Sequence, residues 1–298
     1  MGAEKGNDVE IRVNGAIFDI ERGESDTIGD LLSRADSLLE TAGAVIIALS
    51  FDGASVDPDD LPALSSKPAA SISRLDIAAE SSSDHRAKAI DLLLGVLAAA
   101  SPLPDAEGRR ALRDSLSSLA GSLGGLFPAD ELSFIHSLEE ASSLGAEEKP
   151  EELARLAERI AGLDRLFHER LAELRDPIAE FRRAASVYRG AAEELRELPV
   201  WLQTGKEQQA MQAVLVFVEL FNKIIRLMPE LGRRGVEASA IRVGDLDLPA
   251  FYAAFNEILK ELAKAIEDRD SVLIGDLSEY EVAPRMEGLF AAIGGTLP

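Results

Sequence analysis

The sequence predicts an α+β protein in which a small β-rich domain is followed by an all-α helical bundle. Short apolar-alternating runs, separated by Asn-Gly and Asp-Gly pairs, occupy residues 1–80. Beyond them, apolar residues recur at helical spacing almost to the end. Because 298 residues exceed the usual size of one core, we expect two domains, 1–80 and 81–298.

The first half of the β-rich domain is predicted as a hairpin and one helix. Asn14-Gly15 lies between two alternating apolar runs, and this pair favours a tight hairpin because both residues tolerate positive φ. Thr27, followed by Asp30 three residues later, predicts the start of a helix, and Gly43 predicts its end.

The second half of this domain is predicted to be strands. Residues 45–51 form a near-continuous apolar run, Asp52-Gly53 predicts a turn, Val56 begins a short return, and residues 71–79 alternate again. This order of elements resembles the β-grasp, or ubiquitin-like, fold over residues 8–79. Carrier proteins of that fold act through a terminal Gly-Gly, whereas here the domain continues into more chain, so we expect no conjugation activity.

The remainder is predicted to be helical. Polar residues 80–86, with Asp84 as a candidate N-cap, predict a joint between the domains. Prolines and glycines, including Pro199 and Pro229, are predicted to separate the helices. The predicted helices are 85–100, 105–120, 129–143, 151–176, 178–197, 206–228, 248–267 and 271–292.

Two of these helices suggest how the bundle is covered. Residues 151–176 carry one leucine-rich stripe among Arg and Glu, which is typical of a half-exposed helix or a coiled-coil arm. Residues 213–228 are apolar nearly all round, with only Glu219, Asn222, Lys223 and Arg226 as polar positions. Such a helix lies inside its bundle or in a subunit interface. The sequence therefore leaves open a monomer and a two-fold homodimer, of which we favour the dimer.

The charge is strongly acidic, and this restricts the partners. The formal net charge is −22, of which residues 1–80 carry −10 and the rest −12. Repulsion from phosphates argues against nucleic acid and membrane surfaces, so we expect a protein partner with a basic surface. The longest apolar runs are too short to span a bilayer, no apolar run precedes the first strand, and we expect a cytoplasmic protein.

No motif for a reaction is present, so we predict no catalytic residue, no metal site and no cofactor. The chain contains no cysteine, which excludes thiolate chemistry. Its three histidines, His85, His136 and His168, are scattered over different predicted helices, and surface ion pairs explain their acidic neighbours. Residues 205–207 lack the glycine and the hydroxyl residue that a phosphate-binding loop requires.

The segment Asp270–Phe290 carries the one candidate cluster: Asp276, Glu279, Tyr280 and Glu281. At 100° per residue, Leu273, Leu277, Tyr280 and Pro284 share one stripe, so the carboxylates are predicted to flank a buried seam. An interaction or structural role is the preferred interpretation. The alternative is an acid–base pair in a pocket that other helices complete.

The chain also resembles a group of uncharacterised bacterial proteins that begin with a β-grasp-like head. The resemblance rests on Asn256, Glu257, Leu259, Leu262, Ala265, Glu267 and Asp270, and on the closing D-L-x-E-Y-E-x-x-P segment from Asp276 to Pro284. It implies an accessory role in assembling flagella or another surface filament, and it implies no catalytic residue.

The expected function is therefore that of a non-enzymatic adaptor or chaperone-like accessory protein. The absence of a reaction motif and the long amphipathic helices support this expectation. The alternative is a metal- or carboxylate-dependent enzyme that uses Asp276, Glu279 and Tyr280.

Overall fold

The computed structural model describes residues 9–23, 25–101, 105–143 and 149–298, and they form an α+β protein. A mixed five-stranded sheet comes first, and helices make up most of the remainder. The first elements are β1 (Glu10–Val13), β2 (Ala16–Ile17), α1 (Ile28–Thr41), β3 (Ala44–Phe51), β4 (Ala54–Ser55), α2 (Leu61–Ser65) and β5 (Arg74–Ser81). This is the predicted order of strands and helix, with α2 as an addition.

The sheet has the strand order β2-β1-β5-β3-β4, and α1 packs against it. β1 and β5 run parallel, and the other neighbouring pairs are antiparallel. The predicted hairpin turn at Asn14-Gly15 is confirmed, with φ of 52° and 82°, and Asp52-Gly53 forms the second one. Thr27 and Asp30 form the predicted capping box of α1. Local hydrogen bonding therefore fixes the boundaries of these elements.

At residues 80–86, where the sequence predicts a polar joint, no loop separates the sheet from the next helix. β5 ends at Ser81 and α3 (Ser82–Ala99) begins at the next residue. The cap of α3 is Ser81 rather than Asp84, since the Ser81 hydroxyl accepts a hydrogen bond from the Asp84 amide. The Ser82 amide also donates to the Gly43 carbonyl at 2.9 Å, so this polar stretch is part of the ordered framework.

The helices that follow agree with the predicted ones in number and approximate position as far as residue 233. The remaining elements are α4 (Ala106–Leu123), α5 (Ala129–Ala141), α6 (Pro150–Arg175), α7 (Pro177–Gln203), α8 (Glu207–Arg233), β6 (Arg242–Val243), β7 (Leu246–Asp247), α9 (Leu248–Glu267), α10 (Ser271–Asp276) and α11 (Ala283–Gly294). A π-helical turn, Leu277–Val282, joins α10 to α11. The short hairpin β6-β7 was not predicted.

Two prolines expected to end helices lie inside them. α7 continues through Pro199 to Gln203, and α8 continues through Pro229 to Arg233. A proline within a helix costs about 3 kcal/mol. The turn beyond Pro229 buries Leu231 fully, and the turn beyond Pro199 packs the partly buried Trp201 and Leu202 against the core. This burial offsets the cost.

The chain divides into two compact units, Met1–Phe167 and His168–Pro298. The core of the second unit combines α7, α8, α9, α10, α11 and the π-helical turn, and it includes the aromatic cluster of Phe217, Phe221, Phe251 and Phe255. The predicted domain boundary between residues 80 and 81 stays a prediction. Within the described residues, every helix is too short or too polar to cross a membrane.

Candidate functional site

The second unit contains a largely apolar groove of about 400 Å³ between the ends of four helices. α7 and α8 form one side, and α9 and α10 form the other. Its walls are mainly aliphatic, and polar side chains such as Glu207 and Arg269 stand at its edge. The lining residues are Leu198, Leu202, Gln203, Glu207, Ala210, Met211, Val214, Ile266, Arg269, Ser271 and Ile274.

Two helix ends with left-handed residues shape this groove. Gly205 has φ of 75° between α7 and α8, and the Lys206 amide donates to the Trp201 carbonyl at 2.7 Å. Arg269 has φ of 55° after α9, a conformation that costs a non-glycine residue roughly 1–2 kcal/mol. Asp270 then caps α10 by accepting from the Leu273 amide at 3.1 Å. These stops place the four helix ends beside one another.

A close approach of two helices fixes the position of α10. A Cβ atom at Gly275 would lie 2.7 Å from Cγ of Pro199. Only glycine fits this distance, because the proline ring cannot rotate away. Pro199 therefore has a packing role inside α7, and α10 is held against it.

The cluster predicted near the end of the chain lies on the π-helical turn and its flanks, and the predicted seam is wrong for Tyr280 and Pro284. Tyr280 is 64% exposed, and Pro284 is exposed as well. The prediction assumed an unbroken α-helix. A π-helical turn instead has hydrogen bonds between residues i and i+5, so it contains more residues than an α-helical turn and changes which side chains face the core. The buried side chains of the turn are consequently Leu277, Ser278 and Val282.

The carboxylates of this cluster do not converge. Asp276 and Glu279 are exposed, and neither has a hydrogen-bond or ion-pair partner among the described residues. Glu281 pairs with Arg285 one turn later. None of the four predicted residues lines the groove, although α10 ends at Asp276. Their arrangement gives a solvated acidic surface.

A buried ion-pair network, which the sequence did not reveal, links α6, α7 and α8. Lys223 Nζ lies 2.7 Å from Glu169 Oε1, 2.8 Å from Glu180 Oε2 and 3.9 Å from Glu173 Oε1. Arg226 holds Glu173 with both ends of its guanidinium, at 3.1 and 3.2 Å. Lys223, Glu173 and Glu180 are all buried, so the network brings charge into the core.

Further charges at the edge of the network balance it. Arg170 is buried and bonds Glu173 at 3.1 Å. Glu219 accepts from Arg226 at 2.9 Å, and Arg183 reaches Glu180 at 2.6 Å. The four carboxylates thus meet four cations, which is the condition under which a buried charge cluster is tolerated.

The pKa values of Lys223 and Glu169 move away from neutrality. Burial alone would lower the pKa of Lys223, but hydrogen bonds to Glu169 and Glu180 outweigh it and raise the pKa. Burial alone would raise the pKa of Glu169, but the bond and charge of Lys223 lower it. A general acid or base works best with a pKa near the operating pH. These groups stay charged instead, as a clamp between helices would require.

The sequence carried only a weak signal for this network. Lys223 was one of four polar residues on an apolar helix, and it follows buried Leu220 by three positions and precedes buried Leu227 by four. That position faces the core side of α8. Its partners lie about 50 residues earlier in the chain, so only the fold brings them together.

None of the three histidines is among the residues that line the groove. His85 pairs with Glu80 in the first unit, while His136 and His168 are exposed. Within the residues that the structure describes, no three His, Asp or Glu side chains are grouped so that they could hold a metal ion.

Comparison with known families gives two partial matches. Residues 180–291, which include the whole groove, match a domain of unknown function, DUF8042. Residues 9–81, which contain the sheet, match the TP0873 N-terminal domain. No curated protein and no solved structure matches the chain. Since neither family model covers half of the chain, the result is a likeness over two segments: an α/β head similar to the TP0873 N-terminal domain, and a helical body similar to DUF8042.

Proposed function

We propose that this chain is a non-enzymatic adaptor or chaperone-like accessory protein that holds an apolar segment of a partner protein in the groove. The groove carries the proposal: its aliphatic walls and polar edge suit an amphipathic helix whose apolar side chains enter and whose polar face stays in water. Val200 and Val272, both exposed, lie on α7 and α10, two of the four helices that form the groove.

Charge defines the partner further. The chain carries a net charge of −22, and residues 1–80 carry the highest density of acidic residues. A partner with a basic polar face would be attracted over several ångströms and would associate faster. We therefore propose a basic protein partner and a cytoplasmic location, and we retain the β-grasp assignment for the head as part of the proposal.

The process we propose is the assembly of a flagellum or another surface filament in a bacterium. It rests on the resemblance of the closing segment, Asp276 to Pro284, alone. The alternative of a metal- or carboxylate-dependent enzyme is not favoured by any observation on the described residues. Its proposed groups, Asp276, Glu279 and Tyr280, are exposed and separate from the groove.

Peptide binding tests the proposed function. Trp201 is the only tryptophan of the chain and precedes the groove residue Leu202, so its fluorescence reports on the groove. Synthetic amphipathic helices of about five turns, with Leu on one face and either Lys or Glu on the other, would be titrated against the full chain. We expect the Lys set to bind more tightly, and we expect Leu202→Glu to weaken that binding by about tenfold or more.

The matched control is Leu246→Glu, which places the same charge on an exposed apolar residue outside the groove. It should leave the affinity unchanged, and circular dichroism should show both variants folded. If neither peptide set binds, or if Leu202→Glu and Leu246→Glu lose the same amount of affinity, the proposed function is contradicted.

A further inference from the structure

The face of α8 that points away from the core is apolar and uncovered. Met211 is 48% exposed, Leu215 55%, Val218 43% and Ile225 44%, and Asn222 is exposed among them. These five residues are named the outer stripe. The opposite face of α8 supplies the buried residues Ala210, Ala213, Phe217, Leu220, Lys223, Ile224, Leu227 and Leu231. A helix that is already anchored by one face thus leaves a second apolar face in water.

The spacing of the outer stripe is that of a coiled coil. Its residues follow one another at intervals of four, three, four and three, which is the alternation of a and d positions in a heptad. Leu215 and Asn222 then occupy a positions, and Met211, Val218 and Ile225 occupy d positions. Any single face of an α-helix shows intervals of three and four, so the residue types at these positions, and Asn222 above all, carry the argument.

We propose that the outer stripe pairs with the same stripe of a second copy of this chain, as a short parallel two-stranded coiled coil. Asn222 is the residue that identifies the partner. In a parallel, in-register pair the two Asn222 amides face each other and hydrogen-bond, which is how a single Asn at an a position selects register and a two-stranded state. In an antiparallel pair, a positions face d positions, so Asn222 would meet Met211 or Val218 and would lose a partner for its amide.

The flanking residues are compatible with the same pairing. On one side of the stripe lie the e positions Gln212, Glu219 and Arg226, and on the other side lie half-buried apolar g positions such as Phe221. In a parallel coiled coil the e row of one helix faces the g row of the other. No like charges would then oppose each other across the pair, because the g row is apolar. Glu219 already holds Arg226 at 2.9 Å.

The size of the stripe predicts a weak dimer. Met211 to Ile225 spans about 21 Å of helix, and half-exposed side chains over that length provide less than the roughly 800 Å² per partner of a standard interface. The net charge of −22 on each copy opposes association. We therefore expect a micromolar Kd that falls as salt screens the repulsion. This inference does not rest on the proposed function, although Met211 belongs to both the groove and the outer stripe. The two proposals are tested separately, because Leu202→Glu changes only the groove and Val218→Glu changes only the outer stripe.

Analytical ultracentrifugation of the full chain, from low micromolar to submillimolar concentration, tests the pairing. The expected result is a monomer–dimer equilibrium between the 31.9 kDa chain and a species of twice that mass. Val218→Glu should weaken the dimer by about tenfold or more, whereas Val187→Glu, at an exposed valine of α7, should leave it unchanged. A monomer at every concentration, or equal effects of the two variants, overturns the proposal.

The orientation has its own test, because the chain contains no cysteine. Residues that face each other at an a position lie within the ~4.4–6.8 Å Cα separation that a disulfide spans. Asn222→Cys should therefore form a covalent dimer under mild oxidation, and Val187→Cys should not. A dimer that is observed by sedimentation but does not cross-link through Asn222→Cys overturns the parallel arrangement. Asn222→Asp, which opposes two like charges, should weaken association at neutral pH.

Discussion

Replacing Lys223 with methionine tests whether the buried ion network is a clamp between helices. Methionine keeps much of the length of the side chain and removes the charge. The substitution takes away the cation that lies 2.7 Å from Glu169 and 2.8 Å from Glu180. Glu180 is then left with Arg183 as its ion-pair partner, and the Arg183 side chain is 69% exposed.

The size of the effect follows from which carboxylates lose their partner. Removing one member of a buried pair costs about 3–5 kcal/mol, because the other charge stays buried. Glu173 keeps both Arg170 and Arg226, and Glu169 can turn toward water because its side chain is 37% exposed. Only Glu180 loses its buried cation and keeps the exposed Arg183 alone, so we expect a loss of about 3 kcal/mol, at the lower end of that range.

Urea unfolding followed by circular dichroism measures this loss. We expect an unchanged m value and a Tm lower by roughly 5 °C in a thermal scan. Lys260→Met is the matched control, since Lys260 forms an exposed pair with Glu257 at 2.7 Å. That pair is accessible to water on both sides and should contribute less than about 1 kcal/mol.

A double variant completes the experiment. Lys223→Met combined with Glu180→Met removes both buried charges, and replacing a buried pair by apolar side chains is often neutral, so most of the lost stability should return. If Lys223→Met costs no more than Lys260→Met, or if the double variant is the less stable one, the network does not act as a clamp.

The network also predicts a pH window. The pKa of Lys223 is raised above its ordinary 10.5. Its contribution to the free energy of unfolding is therefore present below pH 10.5 and is lost as the pH rises through the pKa of the folded state. The pKa of Glu169 is lowered below its ordinary 4.5, so its contribution is present above that pH and is lost as the pH falls. The difference in the free energy of unfolding between wild type and Lys223→Met should therefore be largest between pH 4.5 and pH 10.5 and should become smaller at lower and higher pH.

Three further changes probe other parts of the molecule. The hydrogen bond from Arg34, followed by that from the Gly23 amide, lowers the pKa of Asp26 to about 2. Asp26→Asn should therefore lower the free energy of unfolding at pH 6, and the difference from wild type should vanish as the pH approaches 2. Acid titration followed by circular dichroism checks this. Gly275→Ala should destabilise by about 1–3 kcal/mol in urea because the new methyl group meets Pro199, and an unchanged midpoint would contradict the close contact. Leu277→Ala should cost about 2–5 kcal/mol, whereas exposed Asp276→Asn should cost far less; the reverse ranking would show that the acidic cluster is structural.

The parts of the fold that the sequence predicted are those decided by neighbouring residues. Asn14-Gly15 sets its own turn, and Thr27 and Asp30 cap a helix through bonds that span three residues. The parts that were missed depend on residues far away. Pro199 stays within α7 because distant Gly275 makes room for it, and Lys223 is buried because three glutamates from two other helices reach it. Local patterns contain neither fact.

The candidate site divides in the same way. Apolar spacing identified the helices whose ends form the groove, but it could not show that these ends meet. It placed Tyr280 on a buried seam because an unbroken α-helix was assumed, and the π-helical turn changed that assignment.

The π-helical turn removes an angular offset between the apolar sides of α10 and α11. If α10 and α11 were one continuous α-helix, at about 100° per residue, the buried side chains before the turn would point roughly a quarter of a circle or more away from those after it. The residues involved are Ile274 and Leu277 on one side, and Met286, Leu289 and Ile293 on the other. The extra residue held in the turn takes up that angular difference, so both helices present their apolar sides to the same core. Deleting one residue there should let α10 and α11 join as one continuous α-helix whose apolar sides still face the same core.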